Sequence, residues 1–287
     1  FVEWYRALCG DNPARAAGVR RCGVIGASNG RPVRMNGDLT AAIQAAGGAP
    51  LTVVYRRSGA RHTATLTPTA DENGHYKAGV WVRDSGAGIG TMSFVDPHRG
   101  TFAGLGHSIS DADTGADLTL LSGEIVPVTI TGCIRGAAGS PGELRGEFAA
   151  APAGTVLAND AAGVYGSYTG SCTAPALPVA NLQEVTPGEA ELWTTVLGTT
   201  AQPYTIQVER VTMTGSDPNR NLLIRVTDKR LIDATGGVVQ GMSGSPIVQN
   251  GRLAAVLTHV LVNDPSRGYA IFATTMLEKA DAVASSK

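Results

Sequence analysis

Aromatic side chains are scarce in this 287-residue chain, which has 5 Phe, 7 Tyr and 3 Trp. A core must therefore be built from aliphatic residues, and a 43% apolar content supplies them. Charge is thin as well: 16% of residues, balanced to a formal net charge of -1. No basic field marks nucleic acid or anionic lipid as a partner. The pairs Arg20-Arg21 and Arg56-Arg57 are short and read as solvated face. No apolar run reaches the length needed to span a membrane as a helix. A signal peptide is missing too, but FVEWYRALCG opens without methionine and reads as the inside of a longer chain. That lack establishes no cytoplasmic address. The four cysteines, at 9, 22, 133 and 172, form no CxxC and match no zinc spacing. Two readings stay open for them: disulfides 9–22 and 133–172, or buried free thiols. The first leans toward an oxidising compartment. No metal site or cofactor is implied.

Glycine is abundant, with 37 residues and no G-X-Y period. Each glycine inside a helix costs about 1 kcal/mol relative to alanine, so this load favours short strands and tight turns. PARAAG (13–18) predicts a short helix with proline in its first turn and glycine at its end. A strand, an Asn29-Gly30 turn and a second short strand follow. Asp38 caps a predicted helix over 39–46, which Gly47-Gly48 stops. LTVVYRR and HTATLTP are two strands around a Ser-Gly turn. The polar stretch 69–79 links this small unit to the rest, which places a domain boundary at 77/78. From residue 80 onward, a dozen or so turn-bounded strands indicate a sandwich or barrel, closed by a helix over 274–284.

GMSGSP (241–246) is the sharpest feature. A serine hydroxyl needs a base to take its proton. The tetrahedral transition state needs N–H groups aimed at the developing oxyanion. Gly241, two residues before Ser243, lets its own N–H and that of Ser243 converge, and Gly244 clears space behind the hydroxyl. The bland alternative is a hairpin turn with incidental serines. Among the histidines, His62 sits in a strand of the first unit, His75 in the linker and His98 in a turn. His107 ends FAGLG at a strand end, where it can face a cleft and act as the base. Its alternative is a strand histidine satisfied by backbone. His259, in AAVLTHVLV, reads as core or as a cleft wall beside the nucleophile. Asp228 follows an apolar strand and is the best-placed group to orient His107, or else caps a turn. Asp111 and Asp113 lie in a polar loop, and Asp264 in an Asn-Asp-Pro turn.

WVRDSGAGIGTMSFVDP (81–97), GLGHSISD (104–111), GSPGELRGEF (139–148), LLIRVTDKRL (222–231) and the long block GGVVQGMSGSPIVQNGRLAAVLTHVLVNDPSRGYAIF (236–272) resemble the stage IV sporulation protein B family of serine peptidases, the S55 peptidases. The resemblance covers roughly residues 78–275. It implies a mainly β fold with a chymotrypsin-like double β-barrel peptidase domain over 78–287. Before it, 1–77 would form a small, partial PDZ-like α+β unit and linker. It also implies a secreted, periplasmic or otherwise extracytoplasmic serine endopeptidase, membrane-associated through a segment upstream. The family's histidine, aspartate and serine fall on His107, Asp228 and Ser243, with Gly241 and Ser243 forming the oxyanion hole. In typical chymotrypsin-like enzymes the aspartate comes from the first barrel; here it would come from the second. An extended substrate would pair with Thr258, His259 and Val260. The implied partners are a polypeptide substrate and a regulatory protein, with self-processing as one mode of action. The alternative is a catalytically silent peptide-binding or scaffold protein on the same fold.

Overall fold

The computed structural model describes residues 2–3, 12–20, 23–82, 86–111, 115, 117–118, 120, 122–215 and 217–285. Cys9, Cys22 and Asp113 lie outside the described residues. The chain forms two compact units, residues 1–87 and 88–287, so the division falls ten residues beyond the boundary read from the linker.

In the first unit a four-stranded antiparallel sheet runs in the order Arg31–Pro32, Val24–Ser28, Leu51–Arg57, Ala60–Leu66. Asn29-Gly30 and Ser58-Gly59 both turn through the left-handed region, as two-residue hairpin turns require. The helix Asn36–Ala46 lays Leu39 and Ile43 on the core formed with Leu51, Val53 and Tyr55. It begins earlier than the sequence suggests. Asp38 sits inside the first turn, and its carboxylate reaches back to the N–H groups of Arg34 and Met35 at 2.8 and 3.3 Å. The left-handed Gly47 ends the helix as expected.

The second unit begins with a five-stranded antiparallel sheet: Glu124–Ile125, Gly154–Asp160, Gly163–Tyr168, Thr101–Gly104, Met92–Asp96. A separate hairpin pairs Val128–Ile134 with Glu143–Phe148. A closed six-stranded barrel follows, in the order Gly188–Thr194, Gln202–Val211, Leu222–Val226, Arg267–Phe272, Arg252–Val260, Pro246–Gln249. Of the two expected barrels, the second is closed and the first is a half-barrel. Strand Arg252–Val260 explains its own apolar run. Ala255 and Leu257 fill the barrel, whereas Val256 packs with Ala103 and Tyr165 of the first sheet and Met276 of the closing helix Ala273–Ser285. Buried on both faces, it cannot alternate with polar residues. It is the seam where the halves of this unit meet.

Cys133 and Cys172 are free thiols, so the pairing considered for them does not form. Cys133 lies within a hairpin strand and its Sγ–H meets the Ile134 carbonyl, while Cys172 is exposed. Burial raises the Cys133 pKa, which makes it a poor nucleophile.

Candidate active site

The Ser243 turn is shaped by two glycines in backbone states that side chains rarely adopt, Gly241 at φ +96° and Gly244 at φ +98°. A Cβ on Gly244 would lie 1.9 Å from the Thr91 carbonyl oxygen and 2.7 Å from the Leu105 nitrogen, so only glycine fits. The turn is clamped from behind: the Gly244 N–H donates to the Leu257 carbonyl, and the Leu257 N–H to that of Ser245. On a second side, the Gln240 carbonyl accepts from the Leu144 N–H.

Thr91 supplies the third clamp, and sequence reasoning missed it. Its N–H donates to the Ser243 carbonyl at 2.8 Å and its hydroxyl to the Gly241 carbonyl at 3.0 Å. Its own carbonyl accepts from the Leu105 N–H at 3.2 Å. One residue at the start of the first sheet therefore ties the serine turn to the histidine turn. Nothing in GTMSF signals this, because the bonds are mostly main-chain.

His107 follows two successive left-handed residues, Leu105 (φ +67°) and Gly106 (φ +69°). For a leucine that conformation costs about 1–2 kcal/mol, which the surroundings must over-determine. A Cβ on Gly106 would come within 2.9 Å of the Thr258 methyl, so the histidine turn presses directly on the seam strand. The His107 Nδ1 lies 2.7 Å from the Ser108 carbonyl oxygen. A carbonyl only accepts, so Nδ1 carries a proton, which in the neutral ring leaves the lone pair on Nε2, the tautomer a base needs. Behind the turn, Asn159 accepts from the Ile109 N–H and donates to the Ile109 and Leu118 carbonyls, all between 2.7 and 2.9 Å.

Ser243 and His107 each touch one of two adjacent residues of the seam strand. The Ser243 hydroxyl donates to the Thr258 carbonyl at 2.6 Å, and the His107 ring lies against His259 with centroids 4.7 Å apart and planes tilted by 32°. Among the described residues, no hydrogen bond joins Ser243 to His107, and the N–H groups of Gly241 and Ser243 donate to no protein acceptor. Part of the His259 ring is exposed, yet its pKa falls to about 4. Burial of the rest contributes most, followed by the neighbouring His107 and Arg220, with Asp217 opposing. Val260 is half-buried against the barrel core.

Asp228 is occupied elsewhere. It caps the helix Lys229–Thr235, accepting from the Arg230 N–H at 2.8 Å. The Arg230 guanidinium grips the carboxylate at 2.7 Å, and the Thr205 N–H adds a bond at 3.3 Å. Arg230 is the main reason its pKa drops to about 2. Leu223 and His259 both pair with Tyr269, so they lie at one level of the barrel. Asp228 is five residues further along, on the order of 16 Å at the usual strand rise. Among the described residues nothing bonds Asp228 to His107, nor does any other carboxylate. Its sequence context, DKRLIDATG, does hold a helix-capping signal, and that is the alternative its contacts describe. None of these residues clusters three or more His, Cys, Asp or Glu side chains so as to hold a metal ion. No described helix is long and apolar enough to cross a membrane.

Comparison with known proteins adds a family. Among solved structures, the active form of the Rv3671c protease from M. tuberculosis is 16% identical, with a TM-score of 0.34, covering 55% of this chain and 79% of that one. Its inactive form gives 15%, 0.33, 50% and 72%. The HtrA-type protease AlgW with decapeptide is 12% identical at a TM-score of 0.40, covering 78% of this chain and 53% of that one. These scores are low, and no curated protein matches. The sequence signature described as SpoIVB peptidase S55 matches residues 74–277. With that span covering most of the chain, the protein belongs to the SpoIVB peptidase S55 family of serine peptidases.

Proposed function

We propose that this peptidase is an endopeptidase working through an acyl-enzyme, with Ser243 as nucleophile and His107 as base. The observation that carries the reading is that the Ser243 hydroxyl and the His107 ring touch adjacent residues of one strand, Thr258 and His259, with the His107 Nδ1 turned to the Ser108 carbonyl. The Ser243 Oγ swings from Thr258 toward His107, gives its proton to Nε2 and bonds to the scissile carbonyl carbon. The resulting oxyanion accepts from the Gly241 and Ser243 N–H groups. Nε2 then passes its proton to the amide nitrogen as the C–N bond breaks. Water repeats the sequence: it gives a proton to Nε2, adds to the ester carbon, and Nε2 returns a proton to Oγ. An extended polypeptide pairing with Thr258–Val260 presents its scissile bond to this turn. Asp228 stands outside the relay, since the Ser108 carbonyl does the tautomer-fixing work.

The finer parts rest on the family resemblance: an extracytoplasmic site of action, a membrane-associated regulatory protein as substrate, and self-processing. The first unit, with its sheet and single long helix, serves as a PDZ-like module for partner contact. One observation favours a silent or latent state as the second reading: the Ser243 hydroxyl faces Thr258 and not His107.

The test is labelling by a fluorophosphonate probe. Wild type should take label, and Ser243→Ala and His107→Ala should not. Folded wild type that takes no label would leave the silent reading standing.

A further inference from the structure

We infer that His259 is a positioning residue for the base: its ring braces the face of the His107 imidazole. The inference rests on the catalytic reading of Ser243 and His107 given above.

The His107 ring has one anchor in its own plane, the Nδ1–H bond to the Ser108 carbonyl, and that carbonyl belongs to the next residue of the same turn. A single in-plane bond fixes the tautomer but leaves the ring free to rock about the bond. The turn is set by two left-handed residues, with no regular strand or helix to hold the side chain. No described carboxylate supplies a second anchor, since Asp228 is held by Arg230 and Thr205. A face contact removes the remaining freedom, and His259 makes one at a centroid separation of 4.7 Å.

The bracing residue sits on a backbone fixed in the barrel. His259 is carried by the seam strand Arg252–Val260 and pairs with Tyr269 on the neighbouring strand. The Arg220 guanidinium lies 5.2 Å from the Tyr269 ring centre, and Asp217 pairs with Arg220 at 3.1 Å. His107, Arg220 and Asp217 are thus the charged or titratable groups that act on His259. Burial, His107 and Arg220 disfavour its protonation, and they outweigh Asp217. Neutrality matters to the role. When His107 accepts the Ser243 proton it becomes a cation, and a neutral aromatic face attracts a cation where a second imidazolium would repel it. The same ring therefore orients the base before proton transfer and favours the imidazolium afterwards.

The experiment separates an aromatic face from mere space-filling. Fluorophosphonate labelling of Ser243 and turnover of a peptide substrate are measured near neutral pH for wild type, His259→Phe, His259→Leu and His259→Ala, with thermal unfolding recorded for each. Phe, which keeps a face, should label and turn over within a few-fold of wild type. Leu and Ala should lose roughly tenfold in labelling rate and kcat with KM little changed. If Ala does not fold, the comparison of Phe with Leu carries the test. Leu or Ala reacting as fast as wild type would overturn the inference. So would Phe falling as far as Leu at equal stability, because the nitrogens and not the face would then matter. Wild type that takes no label at Ser243 would sink the catalytic reading itself, and the inference with it.

Discussion

The Ser243 hydroxyl donates to the Thr258 carbonyl at 2.6 Å, so the proposed nucleophile rests on the strand where an extended substrate would pair. In antiparallel pairing that carbonyl accepts an N–H from the bound strand. Substrate and serine therefore compete for one acceptor. Under the proposed mechanism a bound peptide would weaken the hydroxyl's hold on this carbonyl and free it to turn toward His107. Methylating the P1 nitrogen of a peptide substrate removes the competing donor. That should lower kcat by about tenfold or more, given the usual cost of an unmade buried hydrogen bond. Unchanged kcat with the methylated substrate would show that the hydroxyl leaves Thr258 unaided.

Gly244 and Gly251 share a left-handed backbone but differ in surroundings. A Cβ at Gly244 meets the Thr91 carbonyl at 1.9 Å, whereas one at Gly251 (φ +74°) meets nothing within 4 Å. Gly251→Ala should cost about 1 kcal/mol, the backbone term alone, and keep activity. Gly244→Ala should cost at least about 3 kcal/mol and abolish labelling of Ser243, since the clash lies on the Thr91 clamp. Chemical denaturation of the two variants checks the pair. Equal losses would remove Thr91 as the reason for glycine at 244.

The serine turn was legible in the sequence because its glycines are demanded by local backbone geometry, and local demands leave a local pattern. His107 was legible for a similar reason, as the end of an apolar-glycine run. Asp228 was readable in two ways, because a strand end and a seven-residue helix cap look alike in VTDKRL. The contacts the carboxylate makes depend on the register of the strand against its barrel neighbours, and register is not written in one segment. Thr91 and Asn159 left no signal at all. Their bonds run to main-chain groups 14 to 152 positions away, which any sequence can offer.

Replacing Asp228 by Asn should act on stability and spare catalysis. The cap bond to Arg230 and the ion pair weaken together, a loss of about 1 kcal/mol. The folded pKa, near 2, lies below the ordinary carboxylate value of 3.8. Its stabilisation is therefore complete above about pH 4 and is lost as pH falls toward 2. The Asn variant should lack this acid-dependent component in a pH series of unfolding. A fall in kcat of tenfold or more at unchanged unfolding temperature would return Asp228 to the relay.

Asn159 holds the histidine turn through a side-chain amide that both donates and accepts. Asn159→Asp keeps the acceptor for the Ile109 N–H but loses the donors to the Ile109 and Leu118 carbonyls. It also brings a negative charge toward two carbonyl oxygens. Activity should fall with a modest stability loss of about 1–3 kcal/mol. Asn159→Asp with wild-type turnover would show that the turn is set by its left-handed residues alone.

His259 gives a second pH signature, in a different window from that of Asp228. Its folded pKa near 4 lies below the ordinary histidine value of 6.5, so the unfolded chain binds a proton between these values that the folded protein refuses. Stability must then rise with pH from about 4 to 6.5 and level off above, the reverse of a histidine that gains a carboxylate partner. In His259→Phe this part of the slope should vanish while the lower Asp228 window stays. Unfolding by urea at a series of pH values measures both at once. If the slope between pH 4 and 6.5 survived the substitution, His259 would have to titrate alike in both states, and neither its burial nor its crowding by His107 and Arg220 would keep it neutral.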